Sequence, residues 1–240
     1  MKRPALLLVH GWGFSSGFWR LLRGVLPEER CQTVDLGFFG QATAPFPLSE
    51  PCVGVGHSLG FLWLLHHWGH PDLRAKMGLD WLQGLVSING FSCFLRRDDF
   101  KNGIYPQVLQ RMQRQFIKNP GEVMRAFCHQ GGGPNFTLPV KSNQEFNAQN
   151  RAALLEGLEW LATWDHRETL QQWNSPLLVL ATQEDLIVPQ AMTEELFSTH
   201  VQIHWSPKGG SHLLPLLRPE WSGLQLGQFL NREFSPSPGP

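Results

Sequence analysis

Gly56-His57-Ser58-Leu59-Gly60 constrains this chain more than any other stretch, because it sets Gly-x-Ser-x-Gly directly after a short apolar run. The run Cys52-Val53-Gly54-Val55 predicts a buried strand, and Phe61-Leu62-Trp63-Leu64-Leu65 predicts a helix just beyond. In a strand–turn–helix setting the serine occupies a tight turn and lifts its Oγ above the sheet. Glycines flank it because side chains there would meet neighbouring backbone, and because the turn needs unusual φ/ψ. Taken alone, the match fits an ordinary glycine-rich turn as well as a nucleophile. What separates the two is whether an acid and a histidine follow in a workable order.

Both follow. Ser175-Pro176-Leu177-Leu178-Val179-Leu180-Ala181-Thr182 predicts a second buried strand, which runs into Gln183-Glu184-Asp185-Leu186-Ile187-Val188-Pro189. Asp185 would lie in the loop at that strand's C-terminal end. Val201-Gln202-Ile203-His204-Trp205 alternates as a strand should, and the turn-rich loop Ser206-Pro207-Lys208-Gly209-Gly210-Ser211-His212 follows it. The order nucleophile, acid, histidine is that of the α/β-hydrolase fold, and in open α/β sheets the site lies at the carboxyl ends of the strands. A serine hydroxyl is a weak nucleophile at neutral pH, so an imidazole must take its proton. Asp185 would hold His212 in the right tautomer and stabilise the imidazolium. Glu184 is an adjacent rival acid, but Asp-x-x-Val-Pro favours Asp185. His204 is a rival base, but it falls inside the strand, where a sheet-packing role fits better.

The strand Pro4-Ala5-Leu6-Leu7-Leu8-Val9 ends in His10-Gly11-Trp12-Gly13-Phe14. In this fold the oxyanion is held by the backbone N–H after the nucleophile, here Leu59, and by one from the loop after the early strand, here Trp12. His10 fits a structural brace of that loop.

Composition narrows the function classes. Twenty basic and 20 acidic residues balance, which argues against a nucleic-acid partner. No run of about 18 apolar residues predicts a membrane span, and the apolar stretch after Lys2 and Arg3 is too short for a signal peptide. Cys31, Cys52, Cys93 and Cys128 show no metal or disulfide spacing, so the expectation is a cytoplasmic, monomeric enzyme without cofactor or metal. Cys128-His129 could suggest a thiol nucleophile, but the two side chains would diverge on a helix. His66, His67 and His70 include an i, i+4 pair of the kind that can hold zinc, yet no carboxylate or thiolate matches them; a half-exposed helix end is the expectation. His57 should point away from the site into sheet packing. Most of the ten tryptophans, Trp19, Trp160 and Trp164 among them, should pack the core. Trp12 is the exception, because its loop borders the site.

The chain divides into core segments 1–92 and 168–233, an intervening helical lid over 93–167, and a disordered tail over 234–240. The first segment carries a helix near 18–25 and strands over 31–35 and 85–89; the second ends in a helix from Pro219, a residue suited to a first helical turn. The lid shows no convincing strand. Its patterns predict helices over 104–116, over 119–130 with Asn119 capping and Pro120 at the first position, and over 144–164. Gly131-Gly132-Gly133-Pro134 should break the second from the third.

Leu7-Leu8-Val9-His10-Gly11-Trp12-Gly13, Thr33-Val34-Asp35-Leu36-Gly37-Phe38-Phe39-Gly40 and the Ser58 turn resemble the α/β-hydrolase fold esterases. Ser87-Ile88-Asn89-Gly90-Phe91-Ser92-Cys93-Phe94 and Gly157-Leu158-Glu159-Trp160-Leu161-Ala162-Thr163-Trp164-Asp165-His166-Arg167 are similar to the lid-flanking segments of the pimeloyl-[acyl-carrier protein] methyl ester esterases of biotin synthesis. The resemblance spans nearly the whole chain. It implies a mostly parallel sheet flanked by helices, an inserted lid and an acyl ester substrate.

Three departures stand out. The chain begins almost at the oxyanion strand, so the N-terminus is shortened and the usual first antiparallel strands should be absent. Pro45, Pro47 and Pro51 exclude a regular helix between Asp35 and Ser58. The histidine loop reads Gly-Gly-Ser-His rather than Gly-His. From Phe94 to Gln130 seven basic residues stand against three acidic in a neutral chain, with Arg111, Arg114 and Lys118 on one helical face and Arg125 beyond. Such a face is either a solvated surface or a docking site for an acidic partner; the resemblance implies acyl-carrier protein. Three functions stay open: an esterase for a carrier-linked acyl methyl ester, a broader esterase, thioesterase or carbon–carbon bond hydrolase acting on small substrates, and a non-catalytic scaffold.

Overall fold

The computed structural model describes residues 3–26, 30–133, 136, 146–199 and 201–234. The apolar runs form strands β1 (Ala5–Val9), β2 (Cys31–Val34), β3 (Cys52–His57), β4 (Leu82–Ile88), β5 (Leu177–Ala181) and β6 (Ile203–Trp205). They join in one sheet of order β2-β1-β3-β4-β5-β6, and every pairing is parallel. β1 and β3 are buried along their whole length, as strands covered on both faces must be. Alternation sends Leu7 and Val9 to one core layer and Leu6 and Leu8 to the other.

From β1 the chain turns to β2 on one side and returns to β3 on the other, so the strand order reverses between β1 and β3. The carboxyl ends flanking such a switch point are where ligands bind in open α/β sheets. Both loops anticipated to hold the reacting group, the one after Val9 and the Ser58 turn, open there.

Helix α1 (Arg20–Gly24) follows a 3₁₀ turn at Ser16–Trp19, in place of one helix over 18–25. Helix α2 (Leu59–Gly69) begins at the serine turn and packs on β3. β3 accepts it because a Cβ on Gly54 would stand only 3.2 Å from Leu64, and one on Gly56 only 2.4 Å from Phe61 Cα. Helix α3 (Pro71–Met77) was not anticipated; its N-terminal proline follows His70 directly and so hides behind the end of α2. No helix interrupts the proline-rich stretch from Asp35 to Pro51; Asp35 and Thr43 instead form an antiparallel bridge.

Between β4 and β5 lie α4 (Pro106–Lys118), α5 (Pro120–Gly132), α6 (Ala148–Thr163) and α7 (Arg167–Gln171). α4 starts at Pro106, two residues later than the pattern suggests, because a residue before proline is pushed to extended backbone and Tyr105 adopts ψ 131. Asn119 caps α5 by accepting the Glu122 N–H, as anticipated. That helix runs through Gly131 and Gly132 and stops only at Gly133, whose φ is 84; Pro134 lies outside the described residues. α6 begins at Ala148, capped by Asn147, rather than at Gln144, which also lies outside them. Strand-like pairing is not wholly absent here, since Leu95 bridges Ile104 and Arg97 bridges Phe100.

The way into the insertion and the way out lie side by side. Cys93 pairs with Asp165, and the His166 N–H donates to Ser92 O at 2.7 Å. His66 braces this joint: its ring stacks on Trp164 at 3.7 Å, and its Nδ1 lies 3.0 Å from His166 Nε2. Burial, reinforced by neighbouring imidazoles, pushes His66 down to about 3 and His166 to about 4, so both are neutral packing groups. After β5 come α8 (Gln190–Phe197), α9 (Leu214–Leu217) and α10 (Pro219–Phe234), the last starting at its proline as anticipated. No described helix is long and apolar enough to cross a membrane.

The glycine with the least room for a side chain among the described residues makes a direct test. A Cβ on Gly60 would stand 2.1 Å from Val9 O, whereas one on Gly227 in α10 would meet nothing within 4 Å. Gly60→Ala should lower stability by about 3 kcal/mol or leave the chain unfolded, while Gly227→Ala should raise it by about 0.5–1 kcal/mol. Denaturant melts of the two variants check this, and equal effects would refute the close packing.

Candidate active site

Ser58 directly follows β3 with φ 53 and ψ −124, a backbone conformation a serine adopts only under constraint. Its N–H donates to Ile88 O at 3.1 Å, and its carbonyl accepts the Phe61 N–H at 3.0 Å, so the turn is fixed from both sides. The turn aims Oγ at His212, whose Nε2 lies 3.0 Å away. His212 Nδ1 lies 2.8 Å from Asp185 Oδ2. Asp185 Oδ1 accepts the N–H groups of Ile187 at 2.7 Å and Val188 at 2.8 Å, so both carboxylate oxygens are occupied by donors. All three residues are buried. With Nδ1–H given to the carboxylate, Nε2 is free to accept the serine proton.

Of the two adjacent acids, Glu184 goes elsewhere: its carboxylate accepts the Gly209 N–H at 2.7 Å. It thereby ties the acid loop to the histidine loop. Gly209 has φ 81, and a Cβ on Gly210 would stand 2.5 Å from Thr182 Oγ1, so each glycine of Gly-Gly-Ser-His has its own reason. His204 turns away to Gln225 on α10, its Nδ1 2.7 Å from Oε1. Burial raises the Cys128 thiol to about 12, which leaves it a poor nucleophile.

Two residues that bear on His212 escaped the sequence reading. Asn89, just past β4 and at φ 46, donates from Nδ2 to both Ser211 O and His212 O, each at 2.9 Å. His57 is fully buried and stacked on Phe18, as sheet packing requires, yet its Nε2–H also donates to His212 O at 2.8 Å. Burial, with His212 close by, pushes His57 well below the usual histidine range, so it donates as a neutral ring. The positive φ at Asn89 is invisible in sequence. The signal available was an Asn followed by Gly at a strand's end, in register with the serine turn.

The loop after β1 abuts the serine turn: a Cβ on Gly11 would stand 3.0 Å from Ser58 Cβ. His10 braces it, accepting the Leu36 N–H at Nε2 and contacting Gly11 O through Nδ1. Leu59 is the first residue of α2, so its N–H has no partner within the helix. The Trp12 indole is buried between Phe116 and Phe127 and donates Nε1–H to Leu154 O at 2.8 Å. That one side chain joins the loop to α4, α5 and α6.

Above Ser58 lies a cavity of about 510 Å³, walled by Phe91, Phe94, Leu109, Met112, Phe127 and Leu161. Arg111, Arg114, Lys118 and Arg125 do not line it. All four are exposed, and none forms an ion pair among the described residues. Val108, Leu109 and Met112 face the cavity, which places Arg111, Arg114 and Lys118 on the outer side of α4.

Asn89→Gly removes both donors from the histidine loop while tolerating the positive φ. It should lower kcat for a p-nitrophenyl ester by about tenfold to a hundredfold, the scale set by small misplacements of reacting groups, with a melting curve near that of the parent. Undiminished turnover would reduce these contacts to loop packing.

No family model matches the sequence. The chain is 31% identical over 208 residues to the pimeloyl-[acyl-carrier protein] methyl ester esterase of Xylella fastidiosa, covering 78% of each chain. It is 28% identical over 239 residues to the biotin biosynthesis bifunctional protein BioHC of Cellvibrio japonicus, of which it spans 46%. Among solved structures, an esterase from Exiguobacterium antarcticum superposes with a TM-score of 0.78 at 15% identity, over 95% of this chain and 92% of that one. By sequence the chain belongs to the pimeloyl-[acyl-carrier protein] methyl ester esterases, carboxylic ester hydrolases, and its fold is the α/β-hydrolase scaffold.

Proposed function

We propose that this protein hydrolyses the methyl ester of a pimeloyl group carried on acyl-carrier protein, with Ser58 as nucleophile, His212 as base and acid, and Asp185 as its orienting carboxylate. The observation that carries this reading is the unbroken run from Ser58 Oγ through His212 to Asp185 at the floor of an apolar cavity. Ser58 Oγ attacks the ester carbonyl as its proton passes to His212 Nε2. The N–H groups of Trp12 and Leu59 hold the oxyanion of the tetrahedral intermediate. Its collapse breaks the C–OCH₃ bond, and His212 gives its proton to the departing methanol. Water then attacks the acyl-serine, passes a proton to the same imidazole, and releases the acid with Ser58 restored.

Residues 93–167 act as a lid in this reading, because the segment from Phe94 to Tyr105 and the helices after it supply most of the cavity wall. The apolar wall suits a polymethylene chain. The exposed cations of α4 suit a strongly acidic carrier, whose approach they would steer at long range.

Ser58→Ala should abolish both turnover and labelling by a fluorophosphonate; labelling that survives would remove the assignment. Asp185→Asn should lower kcat by up to about 10⁴ with the fold intact, and Glu184→Gln should not. The decisive biological test is rescue of a biotin auxotroph lacking its methyl ester esterase, where failure by a well-expressed protein would favour a broader small-ester hydrolase.

Charge reversal tests the carrier. With Arg111, Arg114 and Lys118 all changed to Glu, kcat/KM on the carrier-linked ester should fall by more than about tenfold, while a p-nitrophenyl acyl ester is turned over nearly as before. The parent's rate on the carrier-linked ester should also fall with salt, since exposed charges are screened over about 8–10 Å. Equal losses on both substrates would mean that the lid itself was disturbed.

A further inference from the structure

The cavity above Ser58 is apolar along its walls and carries charge at one place only. Among its described lining residues there is no Asp or Glu, and the two charged ones are both cations, Arg96 and Lys101. Lys101 is exposed and Arg96 half-buried, so they mark the rim rather than the floor. Arg96 is held ready: its guanidinium lies over the Tyr105 ring, 4.8 Å from the centroid, and Nη1 donates to the Tyr105 hydroxyl. Neither cation forms an ion pair among the described residues. The nearby carboxylate is Glu195, which accepts the main-chain N–H groups of Lys101 and Asn102 at 3.2 and 2.9 Å. Glu195 lines a separate cleft with Asp99 and Arg167, so it fixes this loop from behind instead of facing the cavity.

A nucleophile at the floor, an apolar passage and two cations at the rim match a ligand with an ester at one end and an anion at the other. We propose that Arg96 and Lys101 form an anion subsite that receives a negatively charged oxygen group at or beyond the end of the acyl chain distal to the ester. This rests on Ser58 being the nucleophile, as proposed above. It is distinct from the outer stripe of α4: the stripe steers a macromolecule, whereas the rim pair contacts the substrate itself. Two substrates could supply the anion. One is the phosphate of a phosphopantetheine arm, and the other is the free carboxylate of a dicarboxylic acid monoester.

Two matched pairs separate these sources without any carrier protein. The first is methyl pimeloyl-pantetheine phosphate against its dephosphorylated form; the second is monomethyl pimelate against methyl heptanoate. In the parent enzyme at least one anionic member should exceed its neutral partner in kcat/KM by about tenfold to a hundredfold, the usual worth of a hydrogen bond to a charged group. That ratio should collapse toward one in the Arg96→Gln/Lys101→Gln double variant and survive in Arg96→Lys. A preference in the first pair alone assigns the phosphate, and in the second alone the carboxylate. Ratios near one in the parent, or a preference that persists in the double variant, overturn the subsite. If no methyl ester is cleaved, the proposed function falls, and inhibition of p-nitrophenyl acetate hydrolysis still reads the subsite. Pantetheine phosphate or pimelate should then inhibit the parent more strongly than pantetheine or heptanoate, and equal inhibition overturns it.

Discussion

The contact on which the rest of this structure depends is the approach of α2 to the ends of β1 and β3. Gly60 sits so close to Val9 O that no side chain could occupy the gap, and Gly56 is pressed as closely against Phe61. This closeness forces the backbone of Ser58 to φ 53, at a cost of about 1–3 kcal/mol that surrounding packing must offset. The offset is visible in the hydrogen bonds on either side of Ser58 and in the fully buried strands beneath it. A hydroxyl placed this way cannot drift, so the loops that reach it need only be placed once.

The histidine loop illustrates how such placement is achieved without regular secondary structure. Its carbonyls accept from Asn89 and His57, and its Gly209 N–H donates to Glu184. The partners come from β3, from the end of β4 and from the loop after β5, all of which open at the same sheet edge. A loop held at both its N–H and C=O groups has few alternative conformations, which is what keeping an imidazole between a hydroxyl and a carboxylate demands. The adjacent acids divide the work, with Asp185 on the imidazole and Glu184 on the backbone that carries it.

Much of this was legible in the sequence because it depends on short-range rules. Alternation and apolar runs mark the strands, Gly-x-Ser-x-Gly marks the turn, and the prolines of 45–51 rule out a helix that the structure also lacks. Pro120 with Asn119 marks the start of α5 to the residue. The misses were of two kinds. Boundaries shifted where a single residue overrides a pattern, as when Pro106 delays α4 and Asn147 starts α6. Partnerships between residues far apart in the chain, such as Asn89 with His212 or His66 with Trp164 and His166, leave no local trace. His66 lies at a half-exposed helix end, as expected, and also packs the joint where the helical insertion leaves the core.

Net charge is zero, so any electrostatic preference must come from where the charges stand rather than how many there are. Two groups of cations on the insertion stand in different settings. On the outer side of α4 they are solvated and unpaired, and their field is felt over about a Debye length, which suits orienting a large acidic body. At the cavity rim Arg96 is half-buried and stacked on an aromatic ring, a setting that favours short contacts with a small anion over long-range steering. Trp12 connects these regions to the chemistry, since its indole is clasped by the helices that carry both the stripe and the cavity wall. Any displacement of those helices would therefore reach the loop that abuts the Ser58 turn.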